Sequence, residues 1–197
     1  ERYGYYVWEK KRRGKGEKLN YPIDAGWGRE DRPVIKVSWD DAQAYLVWLG
    51  EKAKPEDGTV YRLPTEVEWE YAARGGSDTP FGWAGKEFDV KKANCNAKES
   101  AGQTLPVSRA GNWANGFGLH DMIGNVWEWT ADRFDADSAF RVLRGGAWSY
   151  DPGSCRAAGR NVLAPHDRGL IIGFRVCRGS PIETRDAAPL GTDPPSR

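Results

Sequence analysis

The stretch Arg144-Gly145-Gly146-Ala147-Trp148 opens a segment that closes on Gly173-Phe174-Arg175-Val176. Glycine accepts positive φ angles and close backbone contacts, so both ends are predicted to be strand ends where two backbones approach closely. Between them, turn formers such as Asp151-Pro152-Gly153 are mixed with apolar residues that follow no helical or strand period. These apolar residues indicate either an exposed patch that contacts a partner or core residues beneath a loop. They are Tyr150, Val162, Leu163, Leu170, Ile171 and Ile172.

Two helices and two short strands are predicted before this segment. The first helix covers about 39–54, where apolar residues recur at i, i+3, i+4 and i+7. The second covers about 66–74 and is ended by Gly75-Gly76. Each helix begins at a capping pattern, Ser-x-x-Asp for the first and Thr-x-x-Glu for the second. The strands are predicted at 34–37 and 60–63.

Residues 77–138 carry turn formers every few positions and no helical pattern of useful length. Ten tryptophans and 24 glycines in 197 residues suit a loop-rich fold, in which large aromatic side chains fill the space between few regular elements. An irregular stretch of this length inside a compact domain needs an additional interaction that holds it in place. We expect a bound cation to provide that interaction.

The charge balance argues against two classes of partner. With 29 basic and 28 acidic residues the net charge is +1, so neither nucleic acid nor an anionic membrane is expected as a partner. No apolar run approaches the ~18 residues that a membrane span needs, so no span is expected either. Low Met, Asn and Gln with abundant Arg, Glu and Pro is a composition typical of thermophiles.

One domain is predicted at 34–178, because no repeat and no linker-like boundary interrupts this range. Residues 1–33 are predicted to be an incomplete N-terminal part of the same domain, since the chain opens without Met in an aromatic, helix-like stretch. The residues 179–197 are rich in Pro, Asp and Thr and are predicted to form a flexible C-terminal tail.

The three cysteines, Cys95, Cys155 and Cys177, are widely spaced, and no Cys-x-x-Cys pattern occurs. A zinc site is therefore not expected, and at most one disulfide can form. The redox compartment stays open. Cys155 is interpreted as a small buried apolar residue.

Four motifs occur in order along the chain and carry a specific resemblance. They are Arg-Pro-Val…Val-Ser-Trp at 32–39, Leu-Pro-Thr-Glu-Val-Glu-Trp-Glu-Tyr-Ala-Ala-Arg-Gly-Gly at 63–76, Gly-Leu-His-Asp-Met-Ile-Gly-Asn-Val-Trp-Glu-Trp-Thr at 118–130, and Arg-Gly-Gly…Gly-Phe-Arg at 144–175. Over about residues 27–178 the chain resembles the formylglycine-generating-enzyme (sulfatase-modifying factor) domain family. The resemblance implies an α+β fold, a variant of the C-type lectin fold with two helices, a twisted antiparallel sheet and a high loop content.

The residues do not match the chemistry that this resemblance implies. The enzymes of the family oxidise a substrate cysteine with two copper-binding cysteines set five residues apart, and near-linear Cu(I) needs both soft thiolates. Cys155 has Tyr150 and Arg160 at those spacings, so no copper and no catalytic residue are expected here. The sulfoxide-forming branch uses non-haem iron and a His cluster from a separate helical domain, whereas this chain has only His120 and His166.

The resemblance also implies a structural Ca²⁺ at the 118–130 motif. A hard cation prefers six to eight oxygen ligands, and the motif offers both carboxylates and backbone carbonyls. The alternative is that the carboxylates only cap turns. A second family site, near Asn94-Cys95, is not expected, because the acidic loop that would complete it is shortened here. The matching donors are the Asp121 side chain, the Gly124 and Val126 carbonyls, and the Glu128 carboxylate.

Residues 144–176 resemble the variable region of proteins diversified by diversity-generating retroelements, a non-catalytic branch of the same family. The resemblance implies fixed scaffold positions and clustered surface positions that form a binding face for an unknown protein or surface ligand. Two alternatives stay open: a formylglycine-generating oxidoreductase that acts on a sulfatase cysteine with atypical cysteines of its own, and an accessory domain fused to a kinase or other effector. The implied binding positions are Trp148, Ser149, Tyr150, Ser154, Gly159, Val162, Leu163, Ala164, His166, Gly169, Leu170 and Ile171.

Overall fold

The computed structural model describes residues 27, 31–96, 102–107 and 113–182. Most of the predicted N-terminal part, 1–33, and most of the predicted tail, 179–197, therefore lie outside the described residues. The predicted domain at 34–178 is described except for two short internal stretches.

Both predicted helices are present, and each begins at its capping box. In α1 (Trp39–Ala53) the Ser38 Oγ accepts from the Asp41 N–H at 3.1 Å, and the Asp41 carboxylate accepts from the Ser38 N–H at 3.0 Å. Helix α2 (Glu66–Arg74) is capped in the same reciprocal way. Such caps satisfy N–H groups that a helix start leaves unpaired, which is why both starts could be predicted. Neither of these helices, taken from the described ranges, has the length and apolar character that crossing a membrane requires.

Six strands in the described ranges form two sheets. Strands β1 and β6 form an antiparallel pair, and the other four form one sheet in the order β4-β3-β2-β5. The β3 neighbours are antiparallel, but β2 and β5 run parallel, with Glu128 opposite Gly173. The α+β class with two helices and high loop content is confirmed. The expectation of an antiparallel sheet is wrong for the larger sheet, which is mixed because β2 and β5 run parallel. The strands are β1 (Val60–Arg62), β2 (Trp127–Arg133), β3 (Arg141–Arg144), β4 (Arg160–Leu163), β5 (Ile172–Phe174) and β6 (Cys177–Gly179).

The strand predicted at 34–37 is wrong. Lys36 has a φ of 56°, and a left-handed residue cannot continue an extended strand. Its N–H donates instead to the Gly169 carbonyl at 2.9 Å. The apolar, β-branched residues of this run therefore belong to an irregular stretch that lies against β5.

The core consists of two apolar clusters. The first surrounds Trp69 of α2 and includes Trp83, while the second includes Trp129 and lies between α1 and the larger sheet. Tyr150, from the middle of the segment 144–176, packs against both. Ile182 packs against the second cluster, so the core extends a few residues into the predicted tail.

The described residues between α2 and β2 contain no helix and no strand longer than a single bridge, as predicted. Buried side-chain amides satisfy the backbone there instead. The Asn115 amide donates to the Ala72 carbonyl at 2.6 Å and accepts from the Phe117 N–H at 3.0 Å. The Asn125 amide accepts from the Leu105 N–H at 2.9 Å and donates to the Leu105 carbonyl at 3.1 Å. These contacts replace the ladder that a regular sheet would supply.

Candidate functional site

Glycine fixes both ends of the segment 144–176, as predicted. Gly146 has a φ of 81°, and a Cβ placed on it would overlap the Cys155 Sγ. A Cβ on Gly173 would lie 2.5 Å from the Val34 carbonyl oxygen. Because no larger residue fits at these points, the segment leaves and rejoins the scaffold at set positions.

Arg144, at the end of β3, is the most deeply buried anchor of the segment. Its side chain is 2% exposed, and its guanidinium donates to the Ala157 carbonyl at 2.7 Å and to the Ala158 carbonyl at 3.2 Å. It also forms an ion pair with Glu70 and lies 3.3 Å from a Glu66 carboxylate oxygen, both in α2. A planar fork of donors can serve carbonyls and carboxylates at once, so Arg144 ties the middle of the segment to α2.

Three further arginines tie the segment to carboxylates of the scaffold. Arg160 makes a two-point ion pair with Glu66, at 2.6 and 2.8 Å. The Arg168 Nε donates at 2.7 Å to Asp41, whose side chain is 7% exposed at the start of α1. Arg175 pairs with Glu128 of β2, as described below. The segment is thus held at four points by charge-assisted hydrogen bonds.

Four of the twelve predicted binding positions have structural roles. Tyr150, Leu163 and Ile171 are half-buried and pack against the core clusters. Gly159 is buried, and a Cβ there would overlap the Ser154 carbonyl oxygen. Changing these side chains would change the packing as well as the surface.

The other eight positions reach the surface to different degrees. The half-buried Trp148 donates from Nε1 to the Leu170 carbonyl at 3.5 Å, and its ring meets Trp27 edge-on at 5.4 Å between centroids. Trp148 therefore brings the start of the segment close to its end. The His166 side chain is exposed. The remaining half-buried positions are Ser149, Ser154, Val162, Ala164, Gly169 and Leu170.

The segment does not present an exposed apolar patch. Its unpatterned apolar residues are half-buried or buried, and most of them pack against the core, so the interpretation as core residues beneath a loop applies to most of them. The large apolar side chains with the highest exposure in the described ranges lie on α2 instead, at Val67 (77%) and Tyr71 (69%).

The turn before β2 and the start of β2 carry the oxygen donors predicted for Ca²⁺, namely Asp121, Gly124 and Val126 in the turn and Glu128 in the strand. Asp121 and Gly124 have positive φ angles of 55° and 79°, which curve the turn. The Glu128 side chain is 8% exposed, and its carboxylate accepts from Trp69 Nε1 at 2.7 Å and from two nitrogens of Arg175 at 3.0 and 2.8 Å.

These contacts limit how a cation could bind. A carboxylate has about four lone-pair sites, so three accepted hydrogen bonds leave Glu128 one free site. No group of three His, Cys, Asp or Glu side chains is placed to hold a metal in the described part of the chain. A Ca²⁺ at this turn would have to take most of its ligands from carbonyls and share Glu128 with Arg175.

Near the family's second site, Asn94 is 3% exposed. Its Nδ2 donates to the Gln103 carbonyl at 2.8 Å, while its Oδ1 has no partner within the described ranges. Residues 97–101, which follow in the sequence, lie outside the described residues.

Cys155 has a partner that no spacing rule indicates. Cys95 and Cys155 are both 0% exposed, and both belong to the first cluster. Burial raises the pKa of the Cys95 thiol, and the Cys155 thiol raises it further. A buried thiol of raised pKa is a poor nucleophile and a poor metal ligand. Only the fold, and no local sequence pattern, brings these two residues together.

Comparison with known proteins places the chain. The model of the sulfatase-modifying factor enzyme 1-like domain matches residues 3–180. The inactive C-alpha-formylglycine-generating enzyme 2 of Bos taurus is 41% identical over 178 residues, which are 81% of this chain and 55% of that protein. The formylglycine-generating enzyme of Mycobacterium tuberculosis is 41% identical over 188 residues, covering 78% of this chain and 59% of that protein. The solved structure of Treponema denticola variable protein 1 has a TM-score of 0.68 at 25% identity and covers 89% of this chain and 81% of that one.

The chain spans about half the length of the curated relatives it matches. These relatives include one named as inactive and others named as enzymes, so membership alone does not decide activity. The matched range contains both helices, both sheets and all four arginine anchors. The chain belongs to the sulfatase-modifying factor enzyme 1-like domain family.

Proposed function

We propose that this domain is a non-enzymatic ligand-binding module whose segment 144–176 displays a binding surface to a protein or surface ligand. The observation that carries the proposal is a division of roles within the segment. Arg144, Arg160, Arg168 and Arg175 hold it to carboxylates of the scaffold. Side chains between such anchors can differ while the backbone stays in place, which is what a binding surface on a fixed scaffold requires.

The binding surface is narrower than the twelve positions that the sequence indicates. Tyr150, Gly159, Leu163 and Ile171 are assigned to the scaffold because they pack inward. Trp148 is a rigid aromatic group with a large surface, the kind of residue that often anchors an interface. The positions proposed to contact the ligand beside it are Ser149, Ser154, Val162, Ala164, His166, Gly169 and Leu170.

Two relatives support this function. The Treponema denticola protein, which shares the fold at 25% identity, is named a variable protein. The Bos taurus relative, at 41% identity, is named inactive. The second name describes a family member without the activity of the enzymes, and the buried thiols of this chain agree with such a protein.

The alternative function is a formylglycine-generating oxidoreductase. Identity of 41% to an enzyme of that name favours it. The position of the thiols argues against it, because Cys95 and Cys155 are 0% exposed and a substrate cysteine would have to reach them.

Sequencing the few kilobases around the coding region tests the binding function. A reverse-transcriptase gene beside a near-copy of the 144–176 coding segment, differing only at adenines, is the expected result. The positions of those adenines should fall on Ser149, Ser154, Val162, Ala164, His166, Gly169 and Leu170. A sulfatase gene as neighbour, with no such copy, would contradict the proposal.

A direct assay separates the two functions. The protein is incubated with Cu(I) and a peptide that carries the sulfatase cysteine, and the peptide is followed by mass spectrometry. We expect the cysteine to stay unchanged, with the Mycobacterium tuberculosis relative as positive control. Conversion of the cysteine to formylglycine would establish the oxidoreductase.

We also propose that Ca²⁺ is a structural cofactor of this scaffold, held by Asp121, Gly124, Val126 and Glu128. The support is the supply of hard oxygen donors at a sharply curved turn next to β2. A cation there would hold the loop-rich region to the sheet, and its effect on stability is a measurable consequence.

A further inference from the structure

The buried thiols of Cys95 and Cys155 form a pair that the proposed binding function does not use. Cys95 lies in the loop-rich region before β2, and Cys155 lies in the middle of the segment 144–176. Both are 0% exposed, and both belong to the first cluster. Cys177, the third cysteine, is half-buried in β6 beside Arg62, away from this pair.

The backbone around the pair is held in place on both sides. The Asn96 N–H donates to the Tyr150 carbonyl at 2.8 Å. The Cys155 Sγ contacts that same carbonyl at 3.7 Å and the Ala147 carbonyl at 3.6 Å. Asn96, the neighbour of Cys95, and Cys155 itself therefore both contact the same acceptor, the Tyr150 carbonyl.

Two glycines leave the space that the sulfurs occupy. A Cβ on Gly146 would overlap the Cys155 Sγ, and a Cβ on Gly124 would lie 2.9 Å from the Cys95 Sγ. The Gly124 N–H also donates to the Gly145 carbonyl at 2.7 Å, so these glycine-containing turns are joined to each other. The backbone that borders the Cys95 sulfur is thus joined to the backbone next to Gly146, which borders the Cys155 sulfur.

We propose that Cys95 and Cys155 form a disulfide when the chain folds in the presence of a small-molecule disulfide such as oxidised glutathione. The bond would link the segment 144–176 to the loop-rich region before β2. Its attachment point, Cys155, lies between the anchors Arg144 and Arg160. This inference does not rest on the proposed binding function, since it would hold equally in an enzyme or an accessory domain.

The chemistry balances with oxidised glutathione as the oxidant. The thiolate of one cysteine attacks a sulfur of glutathione disulfide, which breaks that S–S bond, releases one glutathione and leaves a mixed disulfide on the protein. The second cysteine, as thiolate, attacks the protein sulfur of the mixed disulfide, forms the Cys95–Cys155 bond and releases the second glutathione. Two electrons pass from the protein to glutathione disulfide, and the two thiol protons end on the released glutathiones.

Exchange is expected during folding and not in the native state. Attack requires a thiolate and access to the oxidant. Complete burial denies both sulfurs access to the oxidant, and it raises the pKa of the Cys95 thiol. Once formed inside the core, the bond would be shielded from reductants in the same way. The disulfide closes a long loop, and such loops are where a cross-link constrains the unfolded chain most.

Refolding with peptide mapping tests the proposal. The full chain is unfolded in urea, refolded either in a reduced and oxidised glutathione mixture or in a reductant, alkylated with iodoacetamide and digested with trypsin. We expect a cross-linked product of the peptides 93–98 and 145–156 only in the glutathione sample. The peptide 176–178 should be alkylated in both. We also expect the oxidised protein to melt about 5–15 °C above the reduced protein.

Matched variants separate the disulfide from mere packing. Cys177→Ser should keep the cross-link and the rise in Tm, whereas Cys95→Ala and Cys155→Ala should lose both. Alkylation of all three cysteines after oxidative refolding of the wild type would overturn the proposal, as would a cross-link to the 176–178 peptide. Wild-type mapping decides the question even where an alanine variant fails to fold.

Discussion

Arg175 and Glu128 form a two-point ion pair between the end of β5 and strand β2. The Arg175 Nε donates to one carboxylate oxygen at 3.0 Å and its Nη2 donates to the other at 2.8 Å. Trp69 of α2 donates to the same carboxylate at 2.7 Å, and the Arg175 Nη2 also reaches the His120 carbonyl at 3.0 Å. Burial works against the charge on Arg175, but Glu128 raises the pKa of the guanidinium. The Glu128 carboxylate therefore connects α2, β2 and the C-terminal end of the segment 144–176.

Glu128→Gln should destabilise the protein by about 2–4 kcal/mol, because it keeps the shape of the side chain but leaves Arg175 without its counter-charge. Urea unfolding at pH 7 measures the change. The matched control is Asp57→Asn, since Asp57 and Arg178 also pair at 2.7 Å but with side chains 56% and 48% exposed. Exposed pairs contribute little, so the control should unfold like the wild type. Equal effects of the two substitutions would show that burial does not strengthen the Glu128 pair.

Saturating Ca²⁺ should raise the Tm of the wild type if the turn before β2 holds the cation. At about 100 times Kd, binding adds about 2.7 kcal/mol, or about 5–10 °C in a domain of this size. Asp121→Ala should remove the response to Ca²⁺ and to the chelator EGTA. Asp137→Ala, at an exposed site in the β2–β3 connection, is the control and should keep it. If the wild type has the same Tm in Ca²⁺ and in EGTA, the turn does not bind the cation, and its carboxylates only cap turns.

The helices could be predicted because their signals are local. Reciprocal capping boxes and a helical period lie within a few residues of each other, and both α1 and α2 begin where these patterns place them. The glycine ends of the segment 144–176 could be predicted for a similar reason, since only glycine tolerates such close contacts.

What could not be predicted depends on contacts between distant parts of the chain. The run at 34–37 looks like a strand, but Lys36 takes a positive φ because its N–H bonds to the distant Gly169 carbonyl. Likewise, nothing local to Cys95 or Cys155 indicates that the fold brings their sulfurs together. The burial of the apolar residues in the segment 144–176 also depends on how the segment packs against the core. The spacing of apolar residues in the sequence does not predict that packing.

Glu68 should make the stability of the protein depend on pH in the acid range. The hydrogen bond from Arg62, opposed by burial and helped by the Thr65 N–H, lowers the pKa of Glu68 to about 2. A carboxyl whose folded pKa is depressed stabilises the fold above its unfolded pKa and loses this contribution as pH falls towards the folded pKa. The contribution should therefore be complete at pH 6 and decline from about pH 4.5 to about pH 2.

Urea unfolding of the wild type and of Glu68→Gln at several pH values measures this dependence. The difference between the two proteins should shrink as pH falls through that window. Arg62→Met supplies the control, because without the guanidinium the same Glu68→Gln substitution should show a much weaker pH profile. A difference that stays constant from pH 6 to pH 2 would assign the role of Glu68 to shape and not to charge.

Arg144→Lys should be among the most damaging conservative substitutions in the segment, with a loss of about 3 kcal/mol or more. Lysine keeps the positive charge, but it cannot donate to the Ala157 and Ala158 carbonyls and to Glu70 at the same time. The buried carbonyls would lose their donors, and an ammonium would be left in a site where the Arg144 side chain is 2% exposed.

Arg156→Lys is the matched control, because Arg156 is exposed and donates to the Gly153 carbonyl at 2.7 Å from the same segment. It should cost less than about 0.5 kcal/mol. Urea unfolding gives both values, and hydrogen exchange of residues 155–160 should accelerate only in Arg144→Lys. Equal stability of the two variants would mean that Arg144 does not anchor the segment, and the proposed binding function would lose the observation that carries it.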